Sequence, residues 1–237
     1  MFGEANKVLD HGLVRLVDYM GSDLSIVRNA RVSYDAAWRA GENKKGDEGL
    51  ISYLMKNGHN TPFESVTFTF EIKAPIFVLR QWHRHRTQSY NELSARYREL
   101  PEQFYVPEAH TIGVQNADNK QMRDVVTKKE YEKLPEFAKL SAELIRKTMI
   151  EQNTQAFSKY KQMIVDEVPR ELARTILPLS TYSHMFVTVN LHNLFHFLRE
   201  RLHEHAQYEI QEYAKVILDE IENIVPVAVK YFKETLK

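Results

Sequence analysis

The sequence predicts an α+β fold, and three stretches carry the prediction. Val66, Phe68, Phe70 and Ile72 alternate with Thr67, Thr69, Glu71 and Lys73, the period of a strand with one buried face. Thr181 to Asn190 reads as a second strand. From Leu191 to the end, Leu194, Phe197, Leu198, Tyr208, Ile210, Tyr213, Val216 and Ile217 fall on helical faces instead. The 237 residues suffice for one sizeable core and contain no linker-like tract or internal repeat, so 1-237 reads as a single domain.

Taken in order, His11 to Met20 is apolar and β-branched enough for a strand, and Gly21 ends it. Ser22 offers an N-cap to a short helix carried by Ile26, Val27 and Ala30, which runs out near Arg31. Residues 38–49 are polar and Gly-rich and read as a loop. Leu50, Ile51, Leu54 and Met55 mark one face of the next helix, which Gly58 stops. His59 to Glu64 is a turn by its Asn, Thr and Pro content. Beyond the alternating strand, Pro75 suits the first turn of a helix that runs through Ile76, Phe77, Leu79 and Arg80. Residues 101–121 are polar and irregular, either a functional flap or a mobile excursion. Helical character resumes over Lys128 to Gln152, then over Gln155 to Val165 and Val168 to Ile176, with Pro178 ending the last.

Composition narrows the function. Lys and Arg number 32 against 32 Asp and Glu, a balance that argues against a bulk electrostatic nucleic-acid binder. No apolar run approaches the roughly 18 residues of a membrane span, so no membrane partner is expected. The N-terminal residues lack the basic start and apolar core of a signal peptide, which makes a cytoplasmic location the default. Cysteine is absent, excluding disulfides, thiolate metal sites and a cysteine nucleophile.

Against that neutral background, Arg80 to Arg98 holds five arginines (80, 84, 86, 96 and 98) and one carboxylate, Glu92, a formal +4. Arginine forks grip phosphate through paired hydrogen bonds, and Ser89, Asn91 and Ser94 add neutral donors. A charge run is commonly just a solvated face. Here Trp82, His83 and Tyr90 are interleaved with the arginines, and Leu79, Trp82 and Leu93 point to a partly buried setting where charges need partners.

The histidines raise a metal reading, since His192 and His196 are four apart on a predicted helix with His203 and His205 following. No carboxylate sits between them, and Arg199 and Arg201 would repel a cation, so no metal is expected. By spacing alone, Arg201 is a surface partner of Glu204.

Arg84-His85-Arg86 heads the string Arg-His-Arg-x-x-Ser-x-Asn-Glu-x-Ser-x-Arg, which fixes eight positions in thirteen residues and resembles the signature of the flavin-dependent thymidylate synthases. Four more stretches are similar to that family: Arg201 to Gln207, Pro169 to Arg174, His59-Thr61-Glu64, and Asn190-Leu191-His192 with His196. The resemblance implies a mixed β-sheet flanked by helices, a long flexible loop over 101–127, and a homotetramer with sites shared between subunits. It implies methylation of dUMP to dTMP, with 5,10-methylenetetrahydrofolate as one-carbon donor and NADPH as reductant through FAD. With no cysteine, the route by thiolate attack on the uracil ring is closed. Arg201 would be catalytic, stabilising the ring deprotonated at N3. FAD would be held by Thr61, Arg84, His85, Arg86, Glu92, Asn190, His192 and His196. The dUMP set would be Gln81, Trp82, His83, Arg84, Glu92, Leu93, Ser94, Ala95, Arg96, Arg174 and Arg201, with Ser94 on phosphate rather than acting as a nucleophile.

Two other classes compete. A nucleotide- or RNA-binding module would use Arg84, Arg86, Arg96 and Arg98 on phosphates and Trp82, Tyr90 and Tyr97 for stacking, and would be colourless. A metal-dependent phosphohydrolase would use the C-terminal histidines and respond to chelators.

Overall fold

A computed structural model describes residues 3–236. The chain opens with β1 (Asn6–Val8) and β2 (Gly12–Met20), then α1 (Asp23–Arg31) and α2 (Lys44–Lys56). Ser22 is the N-cap of α1, and its backbone N–H donates to Ser25 Oγ at 3.0 Å. The expected loop 38–49 is shorter than its composition suggests, because α2 begins inside it. Asn43 accepts from the Gly46 N–H at 3.1 Å, and the buried Asp47 pairs with Arg31 of α1 at 2.6 Å. Tertiary pairing there outweighs two glycines. Gly58 takes the left-handed backbone, φ +66°, that closes α2.

A 3-10 turn, Thr61–Ser65, leads into β3 (Thr67–Pro75), α3 (Ile76–Trp82) and β4 (Ser89–Glu92). The expected irregular stretch 101–127 carries α4 (Ala109–Ile112) and a small hairpin of β5 (Val114–Gln115) and β6 (Arg123–Asp124). Next come α5 (Lys128–Glu132) and α6 (Glu136–Val165), which joins into one 30-residue helix what the sequence pattern divides into two. The chain ends with α7 (Arg170–Ala173) and its 3-10 continuation Arg174–Ile176, β7 (Tyr182–Asn190), α8 (Leu191–Leu202), α9 (Tyr208–Glu222) and α10 (Pro226–Glu234).

The main sheet has the order β1-β2-β3-β7-β4, and every pairing in it is antiparallel. The expected mixed sheet is therefore corrected: α3 carries the chain from β3 only to the edge strand β4, and no parallel crossover forms. Phe68, Phe70, Ile72 and Ala74 of β3, with Met185, Val187 and Val189 of β7, are buried on one face beneath α8, α9 and α10. The other face is polar, with Glu71 receiving Arg15 and contacting His184, both at 2.8 Å. A second small core of Phe157, Tyr160 and Ala173 seats the C-terminal half of α6 against α7. The N-terminal half of α6 leaves Phe137, Leu140 and Leu144 at 73%, 68% and 64% exposure along one stripe. Among the described residues no helix is long and apolar enough to cross a membrane.

Candidate active site

The site begins where α3 stops. His83, Arg84 and His85 wind the helix down through N–H bonds to Leu79, Gln81 and Trp82 carbonyls, and the turn that follows presents Arg84, His85 and Arg86. Trp82 anchors it from below, stacked on Phe197 of α8 at 4.7 Å and edge-on to Tyr213 of α9. Tyr90, at the start of β4, donates to the His85 carbonyl at 2.7 Å and pins the far side. The arginines are thus delivered from rigid elements.

Facing this turn is the first part of α8. Its N-cap, Asn190, accepts from the Asn193 N–H at 2.9 Å. His192, His196 and Arg199 follow at spacings of four and three and look the same way. Turn and helix enclose a cleft of about 660 Å³, with Phe63 and Phe195 as its apolar part and Asn60 and Asn193 among its polar lining. Arg84, His85, Arg86, His192 and His196 all meet here.

His85 joins the cleft to Arg201. Its ring lies 5.8 Å from that of His196 and 5.0 Å from Phe197. Burial lowers its pKa to about 4, and the charges of Arg201 and His196 push the same way, so the ring is neutral near pH 7. Arg201 Nε donates to His85 Nε2 at 3.0 Å, which places the ring proton on Nδ1. Arg201 Nη2 donates to the Gln81 carbonyl at 3.2 Å. Nη1 has no hydrogen-bond partner among the described residues. Burial holds this guanidinium below its ordinary pKa; Glu200 opposes the shift and Arg84 adds to it. No ion pair joins Arg201 to Glu204 among the described residues, so the surface-pair reading by spacing gives way to this half-buried contact with His85.

Other predicted residues form a second group that starts at the end of β4. Glu92 accepts from Ser183 Oγ at 2.6 Å and lies 3.9 Å from His83. The Leu93 N–H donates to the His184 carbonyl at 2.7 Å, and Ser94 organises a turn by accepting from the Tyr97 N–H at 3.1 Å. Arg96 pairs with Glu171 at 3.4 Å beside a groove of about 470 Å³ shared with Arg170, and exposed Arg174 stands in the 3-10 turn after α7. Neither this group nor Thr61 and Asn190 lines the 660 Å³ cleft within one chain.

Two residues expected at the substrate are buried within one chain: Trp82 is 1% exposed, with its indole stacked on Phe197, and Ala95 is 8% exposed. Conversely, Asn60, Phe63, Asn193 and Arg199 line the cleft without having been singled out. Arg199 was accessible from the sequence, because it shares the helical face of His192 and His196. Among the described residues, no cluster of three or more His, Cys, Asp or Glu is arranged to hold a metal ion.

The family described as "Thymidylate synthase complementing protein" matches residues 15–227. The chain is 46% identical to the flavin-dependent thymidylate synthase of Treponema denticola over 227 residues, 96% of this chain and 81% of that one. It is 44% identical to the flavin-dependent thymidylate synthase of Wolbachia pipientis wMel, covering 98% and 77%. The chain belongs to the flavin-dependent thymidylate synthase family. The crystal structure of a UMP/dUMP methylase, PolB from Streptomyces cacaoi bound with 5-Br dUMP, superposes with a TM-score of 0.84 at 32% identity, covering 97% of each chain.

Flavin-dependent thymidylate synthesis assigns a flavin to this enzyme, and the donor set of the cleft fits one. Arg84, Arg86 and Arg199 supply permanent positive charge for a pyrophosphate, as does the N-terminus of α8. Phe63, Phe195 and Met55 offer apolar surface for a ring system, and the volume lies within the range of about 300–1,000 Å³ usual for small-molecule sites.

Proposed function

We propose that the enzyme converts dUMP to dTMP with 5,10-methylenetetrahydrofolate as one-carbon donor and NADPH as reductant through FAD, as a cytoplasmic homotetramer whose sites are completed between subunits. The observation that carries this reading is the Arg201 fork, held on two sides by His85 and the Gln81 carbonyl with Nη1 left over, beside an arginine-lined cleft.

When bound, the flavin supplies the redox chemistry, drawing its reducing equivalents from NADPH. The chain's own residues do the rest. Arg84, Arg86, Arg199, His192 and His196 hold FAD by charge and hydrogen bonding; Thr61 follows the cleft-lining Asn60, and Asn190 caps the helix that carries His192. Arg201 presents Nη1 to the N3–O4 edge of the uracil, where a fixed positive charge favours loss of the N3 proton. The resulting anion makes C5 nucleophilic with no covalent helper, which suits a chain without cysteine. Neutral His85 can only accept at Nε2, and so it orients Arg201 without competing for charge.

Ser94, Arg96 and Arg174, with Glu92, form the dUMP phosphate arm. Its separation from the cleft within one chain supports a site built from two subunits. The stripe of Phe137, Leu140 and Leu144 on α6 supports the same assembly, since apolar side chains this exposed are covered when chains associate.

The test is the visible spectrum of the purified protein without oxygen and with dUMP present. The expected result is a flavin spectrum that bleaches on adding NADPH and returns on adding methylenetetrahydrofolate. A protein colourless even after incubation with FAD would overturn the proposal and favour a binding module.

A further inference from the structure

Arg201 is the end of a longer chain of contacts that starts in the β5–β6 hairpin. Gly113, at φ +65°, opens the hairpin where any Cβ would strike the Asp124 carbonyl, and the Asn116 side chain closes it through Asp124 at 2.8 Å. From β6, Arg123 reaches into the body and pairs with Glu209 at 2.6 Å. Glu209 is 1% exposed in the first turn of α9 and also accepts from Tyr105 Oη at 3.0 Å and Gln207 Nε2 at 2.8 Å. Gln207 Oε1 in turn accepts from Gln81 Nε2, and the carbonyl of that same Gln81 accepts from Arg201 Nη2 at 3.2 Å. Arg123 and Gln207 stand together in the wall between two cavities, of about 520 and 350 Å³.

We propose that Arg123 and Glu209 are positioning residues for the reaction, setting the orientation of Arg201 through Gln207 and Gln81, and that dUMP binding is felt in the 114–125 hairpin by the same path. The proposal rests on the reading of Arg201 as the ring-activating group. Its logic is the polarity of each link. Glu209 accepts on both oxygens, Oε1 from Tyr105 and Arg123 and Oε2 from Gln207, so Gln207 turns its NH₂ toward it and its oxygen toward Gln81. That fixes the Gln81 side chain and stiffens the last turn of α3, whose carbonyl holds one side of the Arg201 fork. Burial makes an unpaired Glu209 costly, and Arg123 is the cation paired with it at 2.6 Å.

Glu209→Gln is the sharp variant, because it keeps the size but points a donor at Gln207, forcing the Gln207 amide to flip and Gln81 to lose its acceptor. Arg123→Ala removes the cation, and Arg123→Lys restores a charge without the fork. Melting temperature and FAD content of the flavin-loaded enzyme verify that each variant is folded. Where Arg123→Ala does not fold, Glu209→Gln and Arg123→Lys carry the test.

Two readouts follow. In hydrogen exchange followed by mass spectrometry, dUMP is expected to slow exchange over 114–125 in the unaltered enzyme, and this slowing is lost in Arg123→Ala and Glu209→Gln. In turnover, both variants are expected to lower kcat by roughly ten- to a hundred-fold, the scale for a misplaced catalytic group, with a smaller change in the KM for dUMP and partial recovery in Arg123→Lys. Exchange over 114–125 that ignores dUMP, together with unchanged kcat in both variants, overturns the proposal. Normal turnover in Arg201→Lys would instead remove the ring-activating role on which it rests, while the exchange arm still decides whether the hairpin is joined to the dUMP site.

Discussion

Arg201 donates through Nε to Nε2 of His85 at 3.0 Å, so the Arg-His-Arg string and the Arg-x-x-x-His-Ala-Gln string, 116 positions apart at these residues, meet in one hydrogen bond. The bond requires a neutral imidazole, and burial provides it by lowering the His85 pKa to about 4.

A pH dependence follows. The folded pKa of His85 lies below its ordinary 6.5, so as pH falls the unfolded chain takes up this proton first. Stability from this group is full above about pH 6.5, declines as pH falls toward 4, and has no further slope below. Melting temperature between pH 4 and 7 is expected to drop less steeply in His85→Gln, which accepts from Arg201 without titrating; an identical slope would remove His85 as the source.

Arg201→Lys is expected to keep FAD and the melting temperature while losing roughly 10²–10³-fold in turnover, the scale for removing one preorganised donor. An ammonium cannot satisfy His85, the Gln81 carbonyl and a ligand edge with one rigid plane. Near-normal turnover would sink the assignment.

Trp82 tests core against substrate contact. Trp82→Ala should cost about 3–5 kcal/mol of stability, since the indole is stacked on Phe197 and sealed from solvent. Trp82→Phe should fold, with the KM for dUMP unchanged. A raised KM in a fully stable Trp82→Phe enzyme would return the residue to the substrate.

The α6 stripe predicts an assembly defect. A Phe137→Glu, Leu140→Glu double variant is expected to sediment at lower mass than the unaltered enzyme and to lose dUMP binding with it, because charge on a covered apolar face is strongly unfavourable. Unaltered mass and binding would place the subunit contacts elsewhere.

Arg199→Ala is expected to weaken FAD retention about tenfold, as loss of a charge-assisted contact does, measured by flavin released on dilution. Full retention would exclude Arg199 from the flavin cleft.

Much of the fold was legible because the signals were local. The alternation of Val66 to Lys73 and the pattern of Thr181 to Asn190 became the two central strands, and Ser22 and Gly58 punctuated helices as their chemistry demands. What local pattern does not carry depends on partners from other segments. The start of α2 waits on Asp47 meeting Arg31, and the core role of Trp82 on Phe197 and Tyr213.

The sequence by itself determined the chemistry: a cysteine-free chain with an arginine-rich string whose spacing marks its family, and apolar periods that specify strands and helices. Only the tertiary structure decided which of those charges share a site. It set His85 against Arg201, left Glu92, Ser94 and Arg96 outside the cleft of one chain, and ran Arg123 through Glu209 and Gln207 to Gln81. The reason is physical: periodicity is a property of neighbouring residues, whereas a buried hydrogen bond or ion pair exists only once distant segments exclude water between them.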